Sequence, residues 1–268
     1  MNFQLPEIDI PPDLTREEMP DLLRHWYLGP RARRHMMMRR FAEVDRHLDI
    51  NRGTRVLDIG SAWGFNVMAL GRMGFRATGV DLIPDQFTVG ARIAAHNRIA
   101  FDVAGADAAA LPFGAGAFDH ITMVETFEHI FEEDRPRALG ECRRVLAPGG
   151  RLVLSTPNHA SVVERVKRVA VRHGWMRERL PSMCLPDEGT AREQYHPYRY
   201  HRPFPDREIV ALVERAGFRV ASVSHFLFVM KNTPDALCGA WRGGEQLLEQ
   251  TPLIRRFAAT VCVVADRI

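Results

Sequence analysis

The stretch VLDIGSAWGFN, Val56 to Asn66, decides how this chain is read. A short apolar run ends in an acid, Asp58, and gives way to small residues and a turn. A Gly-rich turn after a strand brings backbone close to a ligand at the carboxyl end of a sheet. The dehydrogenase fingerprint GxGxxG needs its third glycine for close helix–strand packing. With Gly60 as the first glycine, Ala62 stands second and Phe65 third, and a Phe there contradicts that packing. The pattern fits DxGxGxG better, with Ala62 replacing the middle glycine. Asp58 adds an electrostatic argument. An acid on this turn repels a pyrophosphate across a low-dielectric pocket and favours a ligand with ammonium or sulfonium charge.

Around this turn, strand-like runs (RVLDIG, RATGVD, IAFDVAGAD, FDHITMV, RLVLSTP) alternate with amphipathic helical runs. That alternation predicts a mainly parallel sheet with helices on both faces. Residues 1–50 read as a helical preface broken by Pro20 and Gly29-Pro30, and 51–158 as the cofactor-binding core. Residues 159–200, rich in Arg, His and Pro, read as an insertion over the substrate side. Residues 201–268 return to the core: a helix ending at Gly217, then two final strands separated by a partly helical insertion at 231–256. This connection suggests an antiparallel partner at the sheet edge.

Residues 55–157 resemble the class I S-adenosylmethionine-dependent methyltransferases, whose donor carries both cationic groups. The resemblance covers five strands in order and several spaced motifs. It implies a Rossmann-like α/β fold with a seven-stranded, mostly parallel sheet, one antiparallel edge strand and helices on both faces. It also implies a cofactor site made of Asp58, Gly60, Ser61, Ala62, Trp63 and Gly64 at the turn, with Asp81, Leu82 and Gln86 after the second strand. In this reading Asp81 accepts the ribose hydroxyls and Asp107 the adenine amino group. Ala106 and Ala108 offer backbone to the ring, and Met123 and Glu125 stand where cofactor and substrate meet. Trp63 either packs under the turn or meets the methionine moiety.

Glu125, Glu128 and His129 form E-x-x-E-H. On a helix these positions share one face. Two carboxylates and an imidazole suit Mg²⁺ or Mn²⁺, with His201 as a fourth ligand and His196 as second choice. This cluster resembles the metal-dependent small-RNA 2′-O-methyltransferases and, less completely, the ubiquinone-pathway O-methyltransferases. The other reading makes His129 a general base without metal, or a residue that only shapes the pocket, with Glu128 beside it. Either chemistry tilts the expectation towards O-methylation of a small or lipid-like hydroxylated metabolite, phenolic or sugar-like. N- or C-methylation without metal stays open, and an NAD(P)-dependent oxidoreductase is the competing enzyme class.

Composition sets wider bounds. The chain has 268 residues, 46% hydrophobic and 26% charged, with a net charge of +3. That charge is too small to argue for nucleic acid. The four cysteines form no CxxC pair, which fits a reducing cytoplasm. No signal peptide and no membrane-length apolar run are visible. Residues 161–180 form a basic amphipathic pattern that reads either as a lid over the pocket or as a peripheral membrane contact. No sequence feature fixes an oligomeric state.

Overall fold

A computed structural model describes residues 5–49, 53–172, 203–229, 231 and 233–268. The strands are β1 (Arg55–Ile59), β2 (Arg76–Asp81), β3 (Asp102–Gly105), β4 (Phe118–Val124), β5 (Leu146–Pro157), β6 (Phe218–Phe226) and β7 (Thr260–Arg267). The helices are α1 (Arg31–Asp45), α2 (Phe65–Arg72), α3 (Phe87–Asn97), α4 (Arg135–Val145), α5 (Val162–Arg172), α6 (Asp206–Arg215), α7 (Asp235–Gln250) and α8 (Pro252–Arg255).

The seven strands form one sheet in the order β3-β2-β1-β4-β5-β7-β6. β1 pairs parallel with β2 and β4, β2 with β3, and β4 with β5. The expected antiparallel strand is β7, which pairs with both β5 and β6 and so lies one place in from the edge. Buried apolar runs explain the central strands. Val56, Leu57 and Ile59 of β1 and Ile121 and Met123 of β4 are all buried, as a sheet covered on both faces requires. Each such side chain contributes roughly 1.5–3 kcal/mol by leaving water.

The strand order reverses between β1 and β4. The chain leaves their carboxyl ends towards opposite sides, and that divergence opens the crevice where α/β sheets bind ligands. The preface closes one wall of it. A short π-helical turn, Leu23–Tyr27, leads through Pro30 into α1. The apolar residues of α1 do not form a single stripe. It buries Ala32, Met36, Met37 and Val44 together with Glu43 and Asp45. Glu43 accepts the Arg46 guanidinium at 3.0 Å and the Ser224 hydroxyl at 3.2 Å, and Asp45 accepts the Asn66 amide at 3.4 Å. α7 clamps other positions of α1. Glu245 meets His35 at 2.8 Å, and Glu249 accepts two hydrogen bonds from Arg39 at 3.0 and 2.9 Å. α7 and α8 occupy the expected partly helical insertion.

Candidate functional site

The turn after β1 is built from left-handed backbone. Gly60, Ala62 and Gly64 have φ of +78°, +50° and +85°. Gly60 has no room for a side chain, since a Cβ there would lie 2.2 Å from the Thr126 hydroxyl. The Gly60 backbone therefore packs directly against the Thr126 side chain of the turn after β4. Ala62 holds a conformation that costs an L-residue about 1–2 kcal/mol, and Asp81 helps to hold it, accepting the Ala62 N–H at 2.9 Å. The other oxygen of Asp81 accepts the Ile83 N–H at 2.9 Å. Burial raises the Asp81 carboxyl above its ordinary range, against the pull of these N–H groups. Asp107 closes its own turn by accepting the Ala109 N–H at 2.8 Å.

These pieces line one cavity of about 880 Å³. Gly60, Ser61, Ala62, Trp63, Asp81, Leu82, Ala106, Asp107, Ala108, Glu125, Glu128 and His129 all reach it. Four expected cofactor residues do not. Gly64 caps α2 behind the turn, Gln86 stands in a short 3₁₀ turn before α3, and the Met123 side chain is fully buried in the core. Asp58 lies beneath the turn, 2% exposed. Its Oδ1 accepts the Thr122 hydroxyl at 2.7 Å and the Asn66 amide at 3.0 Å, and Thr122 is its register partner in β4. Burial pushes Asp58 up to about 6. Its field thus acts on the turn from below, not by contact across the cavity wall. Trp63, 1% exposed, packs edge-on to Tyr27 and tilted to Phe65. Phe65 fills its site among Tyr27, Phe41 and Trp63; the close approach of α2 to the sheet comes from the strand side, where a Cβ on Gly79 of β2 would lie 2.7 Å from Val67.

The expected helical face of Glu125, Glu128 and His129 is not formed. Glu125 sits at φ +52° and ends β4, and only Phe127–His129 make a 3₁₀ turn. Phe127 anchors that turn against the Phe204 ring, 5.5 Å away, and the buried Arg135 guanidinium sits 4.3 Å over the same ring. Glu125 instead pairs with Arg40 of α1 at 3.0 Å and accepts the Ser155 hydroxyl at 3.3 Å. Glu128, 1% exposed, lies 3.9 Å from His129 Nε2, beyond hydrogen-bond reach. Burial pushes both carboxyls up to about 7; Arg40 opposes the rise at Glu125 and the Thr156 hydroxyl opposes it at Glu128.

These residues do not fit a divalent ion. The guanidinium of Arg40 occupies the carboxylate a metal would need, and among the described residues no three His, Cys, Asp or Glu converge on one point. His201 and His196 lie outside the described residues, as does most of the 159–200 insertion. The residues do fit S-adenosylmethionine: a bare-backbone turn, an acid after β2 with a lone pair left on each oxygen, and an acid after β3, around one cavity of ligand size.

Several lining residues escaped the sequence reading. Trp26, Met36, Met37, Arg40 and Phe41 come from the preface, and Glu164 from α5. In RARRHMMMRRF the arginines and methionines look alike; only the helix register against β4 singles out Arg40.

Sheet order, the reversal between β1 and β4 and the cavity over it define an α/β cofactor-binding domain. Residues 57–154 match the family described as methyltransferase domain. A demethylmenaquinone methyltransferase of Thermus thermophilus is 38% identical over 102 residues, 37% of this chain and 46% of the relative. A ubiquinone biosynthesis O-methyltransferase of Xanthomonas axonopodis pv. citri is 28% identical over 179 residues, 66% of this chain and 67% of the relative. The chain thus spans about half the length of the first relative and about two thirds of the second. A solved SAM-dependent methyltransferase from Thermotoga maritima shares the fold with a TM-score of 0.61, at 20% identity over 91% of this chain and 93% of that one. The match to the methyltransferase-domain family is confined to residues 57–154 of the 268, and the likeness to the solved structure is one of fold.

Proposed function

We propose that the protein transfers a methyl group from S-adenosylmethionine to a hydroxyl of a small or lipid-like metabolite, phenolic or sugar-like. The observation that carries this reading is the meeting of three features on one cavity: the Gly60–Trp63 turn, Asp81 and the buried Glu125–Glu128–His129 turn. When bound, S-adenosylmethionine supplies an activated methyl group on a good leaving group. Asp81 accepts the ribose hydroxyls, Asp107 the adenine amino group, and the backbone of Ala106 and Ala108 flanks the ring. The remaining cavity, walled by Trp26, Met36, Met37 and Phe41, holds the acceptor in a near-attack pose.

A hydroxyl acceptor must lose its proton, whereas an amine need only arrive neutral. Glu128 is the proton acceptor we favour, with His129 beside it at the cavity wall. A carboxyl held near 7 is matched to that task at neutral pH. The name of the second relative, an O-methyltransferase of ubiquinone biosynthesis, supports the same choice. The test is transfer of label from methyl-labelled S-adenosylmethionine to a panel of catechols, vicinal diols and amines. Label on oxygen, lost in Glu128→Gln, supports the reading; label on amines alone, with Glu128→Gln fully active, overturns the acceptor assignment.

A further inference from the structure

Residues 5–18 form an arm with turns but no helix or strand of its own, and none of them lines the cavity. With no backbone ladder to fix it, the arm depends on what its side chains and carbonyls meet. Leu5, Ile8 and Leu14 are buried in one apolar cluster with Tyr27, Ala62, Trp63, Phe65 and Ile93. Ala62 and Trp63 belong to the turn after β1. The polar side of the arm is fastened as well. Asn97, the last residue of α3, reads the Asp9 backbone twice: its Oδ1 accepts the Asp9 N–H at 3.0 Å and its Nδ2 donates to the Asp9 carbonyl at 2.7 Å. The Arg72 guanidinium of α2 donates to the Glu7 carbonyl. Arg34 of α1 pairs with Glu7 at 3.0 Å, and Arg92 of α3 pairs with Glu18 at 2.6 Å and Asp13 at 3.3 Å. Exposed ion pairs of this kind are individually weak, so Asn97 and the apolar contacts hold the arm more firmly than the arginines do.

The arm reaches the cavity wall through Tyr27. The Tyr27 hydroxyl accepts the Ile8 N–H and donates to the Ile8 carbonyl, each at 2.9 Å. Its ring, 2% exposed, stands edge-on to the Trp63 ring at 5.6 Å and tilted to the Phe65 ring at 5.3 Å. α3 backs the same residue, because a Cβ on Gly90 would lie 2.2 Å from the Trp63 carbonyl. Ala62, next to Trp63, holds φ +50°, a conformation that persists only where the surroundings over-determine it. Asp81 fixes Ala62 from the β2 side; Tyr27 and α3 fix the residue that follows. A tyrosine that only filled space would serve no better than a phenylalanine. Here the hydroxyl satisfies both backbone groups of a buried arm residue 19 positions earlier, so the arm and the turn share one brace.

We propose that Tyr27 is a positioning residue for the cofactor: it braces the Trp63 wall of the turn against the arm, so that docking of residues 5–18 sets the affinity for S-adenosylmethionine without touching it. The inference rests on the S-adenosylmethionine reading of the cavity. The test is S-adenosylhomocysteine calorimetry on the full chain and on its Tyr27→Phe, Asn97→Ala and doubly substituted forms, with thermal unfolding of the same samples. Tyr27→Phe keeps the ring and removes both bonds to Ile8, and Asn97→Ala releases the arm at Asp9. Each should weaken the affinity per binding site at least about fivefold. The double form should bind within about twofold of Tyr27→Phe, because both changes act through one arm. A merely structural role would lower the melting temperature and the number of sites but leave the remaining sites with native affinity. That result overturns the proposal, and so do two losses that multiply. Should Tyr27→Phe fail to fold, Asn97→Ala decides alone: native affinity overturns the proposal, and the same loss supports it. No binding by the native protein overturns the cofactor reading and this inference with it, whereas native binding with unaffected variants overturns this inference only.

Discussion

Asp81 accepts the Ala62 and Ile83 N–H groups with different oxygens, which leaves each oxygen a lone pair for a ligand hydroxyl. Hydrogen bonds to a charged acceptor contribute about 1.5–3 kcal/mol each, so Asp81→Ala should weaken S-adenosylhomocysteine binding by about 100-fold in calorimetry; unchanged affinity would remove the ribose assignment. Glu128 makes the opposite kind of prediction. Its folded-state value of about 7 lies above the ordinary 4.5, so the folded protein takes up a proton between those values. Stability from this group is full below about pH 4.5 and is lost as pH rises through about 7. Glu128→Gln should therefore raise stability at pH 8 by on the order of 1–3 kcal/mol and leave it nearly unchanged at pH 4. Denaturant titrations at the two pH values check this, and equal effects at both would contradict it. The type and spacing of both acids were legible in the sequence. Their surroundings were not: Asp58 reads as a wall charge, yet its register beside Thr122 turns it under the loop.

At the scale of elements, β/α alternation and glycine punctuation made the five parallel strands and the final strand pair legible. What stayed hidden depends on contacts far apart in the chain. Nothing in the sequence marks His35 and Glu245, 210 residues apart, as partners. Glu245 also accepts the Phe228 and Val229 N–H groups at 2.7 and 3.1 Å, so α7 ties α1 to the segment after β6. Burial alone would raise the Glu245 carboxyl, but His35 and these N–H groups outweigh it and hold it low. Glu245→Ala should cost about 2–4 kcal/mol, because it strands two buried N–H groups and a histidine. A loss below about 1 kcal/mol in urea unfolding would mean that water replaces the clamp. The E-x-x-E-H spacing misled for a local reason: Glu125 adopts φ +52°, which ends the strand without starting an α-helix.

For the whole molecule, the cavity joins the preface, the sheet ends and α5 around one ligand-sized space. The preface contributes a guanidinium as well as apolar wall, and Arg40 takes the place of a cation at Glu125. Excess chelator should therefore leave cofactor binding and methyl transfer unchanged. Loss of either, restored by Mg²⁺ or Mn²⁺, would show that ligands beyond the described residues complete a metal site. The central claim is that the turn after β1 serves a cationic nucleoside–amino-acid conjugate and not a dinucleotide. Isothermal calorimetry with S-adenosylhomocysteine and with NAD, run on the same preparation, tests it most directly. The account predicts saturable one-to-one binding of the first and no heat from the second; binding of NAD with none of S-adenosylhomocysteine would contradict it.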